Sequence, residues 1–254
     1  MLEIEKLTHR FGGLCAISDF NLSLQKGELM GIIGPNGAGK TTLFNLITGI
    51  YRASEGRMSF EGQELVGAPA HGIVNLGIAR TFQNIRLFKE MSVLDNVRAA
   101  HYAHVKDNPL TALLRTPGFC SEERRILKRS QELLALFKLE AHAGKPAGSL
   151  PYGSQRRLEI ARALATGPKL LLLDEPAAGM NASEIGQLME FIAWIRKEFN
   201  LTIILIEHSM RLVMAICERL KVLDFGTTIA EGAPAEIRVD RRVLEAYLGE
   251  EVTP

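Results

Sequence analysis

The stretch Gly34-Pro35-Asn36-Gly37-Ala38-Gly39-Lys40-Thr41-Thr42 concentrates more chemistry than any other part of the chain. Its spacing is G-x-x-x-x-G-K-[ST], over residues 34–41. A triphosphate is a dense anion, and backbone N–H groups wrap it closely only where no Cβ intrudes. Gly34, Gly37 and Gly39 meet that need. A helix opening here adds unpaired N–H groups and the positive end of its dipole. Lys40 would then reach the β- and γ-phosphates, and the Thr41 hydroxyl would coordinate Mg²⁺. The bare pattern also arises as a glycine-rich turn, so its context matters. The apolar run 29–33 reads as a buried strand, and Leu43, Leu46 and Ile47 recur at helical spacing behind it.

Other chemistry-bearing residues stand at the ends of apolar runs. Lys169-Leu170-Leu171-Leu172-Leu173-Asp174-Glu175-Pro176 predicts a buried parallel strand ending in two carboxylates. Ligand groups in doubly wound sheets sit at strand C-termini. Asp174 would hold the Mg²⁺ shell and Glu175 would polarise the water attacking the γ-phosphate; the alternative is a capping Asp-Glu pair, which a P-loop in the same chain disfavours. The run 201–206 is a second buried strand, ending at Glu207-His208. His208 is placed there to hydrogen-bond a γ-phosphate oxygen, although a lone histidine is usually structural. Gln83, in Thr81-Phe82-Gln83-Asn84 beyond a strand over 77–80, is either an oxygen ligand to the same Mg²⁺ or a solvated loop residue. Phe11, ahead of Gly12-Gly13, either stacks on a purine or packs in the core.

The 254 residues are 46% hydrophobic and 23% charged, an ordinary globular balance with a sizeable core. A formal net charge of +1 gives no global electrostatic case for nucleic acid. Cys15, Cys120 and Cys217 are far apart without metal-type spacing, and read as free thiols in a reducing compartment. Residues 1–10 carry charges where a secretory signal needs an apolar region. No apolar run approaches the roughly 18 residues of a membrane-spanning helix.

Around these groups the sequence predicts strands over 1–8 and 17–24, a turn at Ser54-Glu55-Gly56, a strand over 57–60 and a helix over 69–76. A helix over 93–102 is followed by an irregular connector over 107–120, with Asn108-Pro109 and Pro117-Gly118 as breakers. Ser121 opens the next helix, whose apolar positions include Ile126, Leu133, Leu134 and Phe137. Arg124, Arg125, Lys128 and Arg129 read as its solvated face, and His101 and His104 as surface histidines. Residues 93–143 thus form a helical subdomain inserted into an α/β core made of 1–92 and 144–254. A loop over 147–154 precedes a helix over 155–165; helices over 181–199 and 210–217, a strand over 220–223, a hairpin-like return over 226–232 and a mostly helical tail over 235–248 complete the chain.

Taken in order, these motifs resemble the ATP-binding cassette ATPases over nearly the whole chain. The resemblance identifies 34–41 as the P-loop, Gln83 as the Q-loop glutamine and Leu150-Pro151-Tyr152-Gly153-Ser154-Gln155 as the signature loop. It makes 170–174 the Walker B strand, Glu175 the catalytic carboxylate, 178–181 the D-loop, His208 the switch histidine and Phe11 the adenine-stacking aromatic. It implies an α/β P-loop NTPase fold with a RecA-like core, an antiparallel β subdomain and an inserted helical subdomain. ATP and Mg²⁺ are the implied cofactors. Two cassettes would close head to tail, each ATP lying between one P-loop and the partner's signature loop, here Tyr152, Gly153, Ser154 and Gln155.

A narrower resemblance rests on Arg80-Thr81-Phe82-Gln83-Asn84-Ile85-Arg86-Leu87-Phe88, on Asp174-Glu175-Pro176-Ala177-Ala178-Gly179 and on the insert Leu113-Leu114-Arg115-Thr116-Pro117. These look like the larger ATPase subunit of high-affinity branched-chain amino-acid importers. That implies ATP hydrolysis driving uptake, transmembrane permease subunits, a second ATPase subunit and, indirectly, an extracytoplasmic binding protein as partners. It also implies a peripheral place at the cytoplasmic face of the inner or plasma membrane. The alternatives are the ATPase of another transporter, such as a lipid or polysaccharide exporter, and a nucleotide-gated assembly module with little turnover. Three departures stand out. Pro151 replaces the signature serine and lacks both its hydroxyl and its N–H; Asn181 replaces the general D-loop aspartate; Ser209 stands where an acidic residue is usual.

Overall fold

The computed structural model describes residues 1–104 and 112–248. Two compact units emerge: Met1–Gln83 joined by Lys169 and the residues after it, and Asn84–Pro168. The first begins with β1 (Leu2–Phe11), β2 (Leu14–Leu24), β3 (Leu29–Ile33), α1 (Lys40–Ile47), β4 (Glu55–Phe60), β5 (Gln63–Glu64), α2 (Ala70–Leu76) and β6 (Ile78–Arg80). The second holds α3 (Val93–His101), α4 (Pro117–Leu136) and α5 (Tyr152–Ala165). The chain then returns to the first unit with β7 (Leu170–Asp174), α6 (Ala182–Glu198), β8 (Thr202–Ile206), α7 (Met210–Ile216), β9 (Arg219–Asp224), β10 (Thr227–Gly232), α8 (Pro234–Ile237) and α9 (Arg241–Leu248).

Burial pattern separates the two sheets of the first unit. Strands β3, β7 and β8 are buried at every position, as parallel strands covered on both faces must be. They lie in a six-stranded sheet of order β10-β9-β3-β8-β7-β6, parallel except for the edge hairpin strand β10. In β2, buried Phe20, Leu22 and Leu24 alternate with exposed Asn21 and Ser23, the mark of a sheet with one wet face. That sheet is antiparallel, of order β2-β1-β4-β5. Leu43, Phe44, Leu46 and Ile47 of α1 join Leu2, Ile4 and Phe20 of one sheet and Met30, Ile32, Leu172 and Ile204 of the other in one apolar cluster. Each such side chain stabilises the fold by about 1.5–3 kcal/mol on burial, so α1 is anchored by both sheets.

A polar tie runs through the same unit. Arg80 ends β6, and its Nη2 donates to Asp174 Oδ2 at 2.7 Å, with the two side chains 5% and 3% exposed. Arg80 Nη1 donates to Asn45 Oδ1 of α1 at 2.7 Å. The guanidinium lies 5.4 Å from the Phe44 ring centroid and 5.0 Å from that of Phe82. One cation therefore links a sheet edge, the strand-end carboxylate and α1.

In the second unit, fully buried Asn96 of α3 accepts from the Phe88 N–H at 2.9 Å and donates to the Phe88 and Ser92 carbonyls at 3.0 Å each. It fastens the approach segment to the helix. α3 packs on both α4 and α5. The unit accordingly runs from Asn84 to Pro168, broader than the 93–143 insertion read from the sequence.

The expected breaker Pro117-Gly118 does not break anything: α4 begins at Pro117, four residues ahead of Ser121. Proline at a first helical position lacks only an N–H that would have no intrahelical partner, and Thr116 caps the turn by accepting from the Phe119 N–H. α5 similarly opens at Tyr152 rather than Gln155. Gly77 closes α2 with φ 100° instead of starting β6. Asn108-Pro109 lies outside the described residues.

Replacing Arg80 by Met breaks a buried ion pair with Asp174 and should cost about 3–5 kcal/mol of stability. Urea denaturation of the full chain checks this; an unmoved midpoint would show that the tie carries no stability. Burial pushes the Cys217 thiol up to about 12, with the neighbouring Glu218 adding to the effect. Its folded pKa thus exceeds the unfolded value of about 8.5, so this contribution to stability is intact below that pH and fades as pH climbs toward the folded value. Alkylation of the native chain at mildly alkaline pH should label half-buried Cys15 and Cys120 and spare Cys217 until denaturant is added. Equal labelling of all three under native conditions would contradict the burial.

Candidate active site

The chain leaves β3 at Ile33, and α1 begins at Lys40 with Gly39 as its N-cap at φ 98°. The helix has no side-chain cap hydrogen bond and no acidic residue in its first turn, which leaves its positive end for an exogenous anion. Two loop glycines are required by the protein's own packing. A Cβ on Gly34 would lie 1.9 Å from the Leu223 carbonyl oxygen, and one on Gly39 2.5 Å from that of Ala16. A Cβ on Gly37 would meet nothing within 4 Å. Pro35 and Ala38 are buried, Thr42 is half-buried, and Asn36, Gly37 and Thr41 face solvent. Lys40, 5% exposed, donates from Nζ to the Gly34 and Pro35 carbonyls at 2.6 and 2.7 Å, so its charge is held inside the loop.

Strand register brings the other groups together. Ile32 of β3 pairs with Ile206 of β8, and Ile206 with Asp174 of β7. The three strands end at one level. Glu175 follows at φ 46°, a left-handed backbone that costs a non-glycine residue about 1–3 kcal/mol. Its Oε2 accepts from Gln83 Nε2 at 2.7 Å, and its Oε1 lies 2.8 Å from His208 Nε2. Gln83, Glu175 and His208 therefore form one hydrogen-bonded group. Thr41, Gln83 and Asp174 present only oxygen ligands for a hard cation, a donor set that suits Mg²⁺. Among the described residues no three His, Cys, Asp or Glu side chains converge as a metal site.

Sequence reading assigned no role to Arg80 or Glu207. Glu207 is 4% exposed; its Oε1 accepts from the Ala177 N–H at 2.6 Å, and its Oε2 from the His208 and Ser209 N–H groups at 3.1 and 3.4 Å. Burial pushes its pKa upward, the three N–H donors oppose this, and the charge of Glu175 adds to the rise. The signal was present: Glu207 ends an apolar strand just as Asp174 does.

Phe11 is the last residue of β1 and 43% exposed, which rules out a core phenylalanine. Its ring meets His9 edge-on at 4.5 Å and Tyr51 at 5.2 Å, while His9 and Tyr51 stack at 5.6 Å. This aromatic backing restrains the exposed ring.

The signature residues belong to the second unit, at the N-terminus of the fourteen-residue α5. Tyr152 and Gly153 are exposed, Ser154 and Gln155 half-buried. Pro151 is the N-cap and supplies no side-chain hydrogen bond; its carbonyl accepts from the Ser154 and Gln155 N–H groups at 2.9 Å each. The other two departures have local reasons. Asn181 caps α6, accepting from the Ser183 and Glu184 N–H groups while Glu184 returns a bond to the Asn181 N–H, a full capping box. Ser209 caps α7, accepting from the Leu212 N–H.

Among the described residues no helix is long and apolar enough to cross a membrane. The family model described as "ABC transporter" matches residues 17–178, and that described as "Branched-chain amino acid ATP-binding cassette transporter" matches 227–253. The chain is 46% identical over 250 residues to the high-affinity branched-chain amino acid transport ATP-binding protein BraF of Pseudomonas aeruginosa, covering 98% of each chain. It has the same identity and coverage with the protein of that description, LivG, from Escherichia coli. An ATP-binding cassette of an ABC transporter, solved in its ADP conformation, superposes with a TM-score of 0.84 at 33% identity, covering 98% of both chains. The motif order, the strand-end geometry and these full-length similarities place the chain in the ABC transporter family, as an ATP-binding cassette ATPase.

Proposed function

We propose that this chain hydrolyses ATP to drive the import of branched-chain amino acids, as one of two ATPase subunits beneath a membrane permease. The observation that carries the catalytic part is Glu175, set at the end of β7 and bracketed by Gln83 and His208. Support for the substrate class comes from the C-terminal match and from the relatives' names.

In this reading Phe11 stacks on adenine, and the loop from Gly34 through Pro35, Asn36, Gly37, Ala38 and Gly39 wraps the phosphates with backbone N–H groups. Lys40 turns its ammonium from the loop carbonyls to the β- and γ-phosphates, and Thr42 lines the same helix start. Mg²⁺, when bound through Thr41, Gln83 and Asp174, supplies charge neutralisation at the phosphate oxygens. Glu175 holds the attacking water and takes its proton, and His208 donates to a γ-phosphate oxygen. Gln83, released from Glu175, reports on the γ-phosphate. The partner cassette's signature loop completes this site, while Tyr152, Gly153, Ser154 and Gln155 complete the partner's. Phe88, 54% exposed, gives the segment after Gln83 apolar area for a permease contact at the cytoplasmic membrane face. An extracytoplasmic binding protein would deliver the amino acid without touching this chain.

In the assembled transporter, Glu175→Gln should lower the rate of ATP hydrolysis by about 100-fold or more while ATP binding persists and an ATP-bound dimer accumulates. Tight binding without Glu175-dependent turnover, in the free or assembled state, would favour a nucleotide-gated assembly module instead. Pro151 makes the two half-sites unequal, because the hydroxyl and N–H of the usual serine are missing from the site on the partner's P-loop. Pro151→Ser should raise turnover there, measured by nucleotide trapping with the other site inactivated; unchanged trapping would end this explanation.

A further inference from the structure

Glu175 and His208 meet through side chains that leave different strands, and their contact depends on how two loops are held. Hydrogen bonds from the Glu175 N–H to the Ile206 carbonyl (2.9 Å) and from the Ala178 N–H to the Glu175 carbonyl (3.2 Å) restrain the left-handed turn. A strained non-glycine conformation persists only where its surroundings over-determine it. A further restraint comes from one side chain. Glu207 Oε1 takes the N–H of Ala177, two residues beyond Glu175, and Oε2 takes the N–H groups of His208 and Ser209. We propose that Glu207 is a positioning residue: its two carboxylate oxygens clamp the Glu175 loop and the His208 segment to one another and so preset the Glu175–His208 contact. The proposal rests on reading that pair as catalytic.

Glu207 itself is 4% exposed. Its charge is met by backbone N–H groups, and such charge-assisted bonds are stronger and shorter than neutral ones. Burial and the nearby Glu175 both work against ionisation of Glu207, yet three N–H groups converge on it, so this environment is built to receive an acceptor. Ala177 also leads into 178–181, the loop the resemblance assigns to contact with the partner cassette. A displacement of that loop and one of His208 are therefore linked through the Glu207 side chain.

Glu207→Gln tests this with little change of shape. An amide has one acceptor oxygen and one donor group, so it serves either Ala177 or the His208–Ser209 pair, never both. In the transporter assembled from full chains, kcat should fall about 100-fold, the loss that follows a misplaced catalytic group, while the Kd for ATP moves less than about 3-fold. By amide hydrogen exchange, Ala177 or His208 and Ser209 should lose protection while Leu172 and Ile204 keep theirs. Glu207→Asp, which keeps both acceptors on a shorter stem, should give an intermediate kcat. A wild-type kcat in Glu207→Gln would overturn the clamp, as would a loss accompanied by faster exchange throughout β7 and β8. Glu175→Gln run alongside separates the two ideas: turnover surviving that change removes the catalytic reading, whereas exchange at Ala177 and His208 still decides the clamp.

Discussion

Parallel register is the constraint on which the rest depends. Ile32, Ile206 and Asp174 occupy one row across β3, β8 and β7, so three loops leave the sheet at the same level. Backbone hydrogen bonding holds that row, and complete burial of all three strands prevents a slip, because a one-residue shift would exchange the side chains on the two faces. The loop over 34–39, the Asp174–Glu175 pair and His208, far apart in sequence, leave the sheet together for this reason.

Polar groups buried beside this row are costly unless each is answered. The structure answers them in two ways. Arg80 meets Asp174 with a formal opposite charge and spends its second nitrogen on Asn45 of α1. Glu207 is met by backbone N–H groups from two loops. The first solution anchors a carboxylate to a rigid helix. The second ties together the two segments that carry Glu175 and His208. Glycine answers a packing need as well: Gly34 and Gly39 each lie too close to a neighbouring carbonyl for any Cβ.

Capping chemistry accounts for features that looked irregular in the sequence. Asn181 and Ser209 differ from the usual residues of the resembling family, and both satisfy helix N-termini. Pro117 looked like a breaker and is a helix start. Pro151 caps α5 without a side-chain bond, and here local structure offers no compensation for the missing hydroxyl. The departure to which we assign a functional consequence is thus the one without a local reason.

Sequence alone determined the elements whose signal is local. Four leucines before Asp174 and the apolar run before Glu207 announce buried strands, and glycine spacing before Lys40 announces a tight loop opening a helix. Burial and backbone strain act within a few residues there, so residue types suffice. Tertiary structure alone decided which groups meet. Nothing in the spacing of Gln83, Glu175 and His208 requires a shared hydrogen-bond group, because parallel pairing across long crossovers creates it. Arg80 and Glu207 were given no role for the same reason: Asp174, which answers Arg80, and Ala177, which Glu207 joins to its own His208–Ser209 segment, lie on other elements, and a buried charge reveals its role only once such groups are in place.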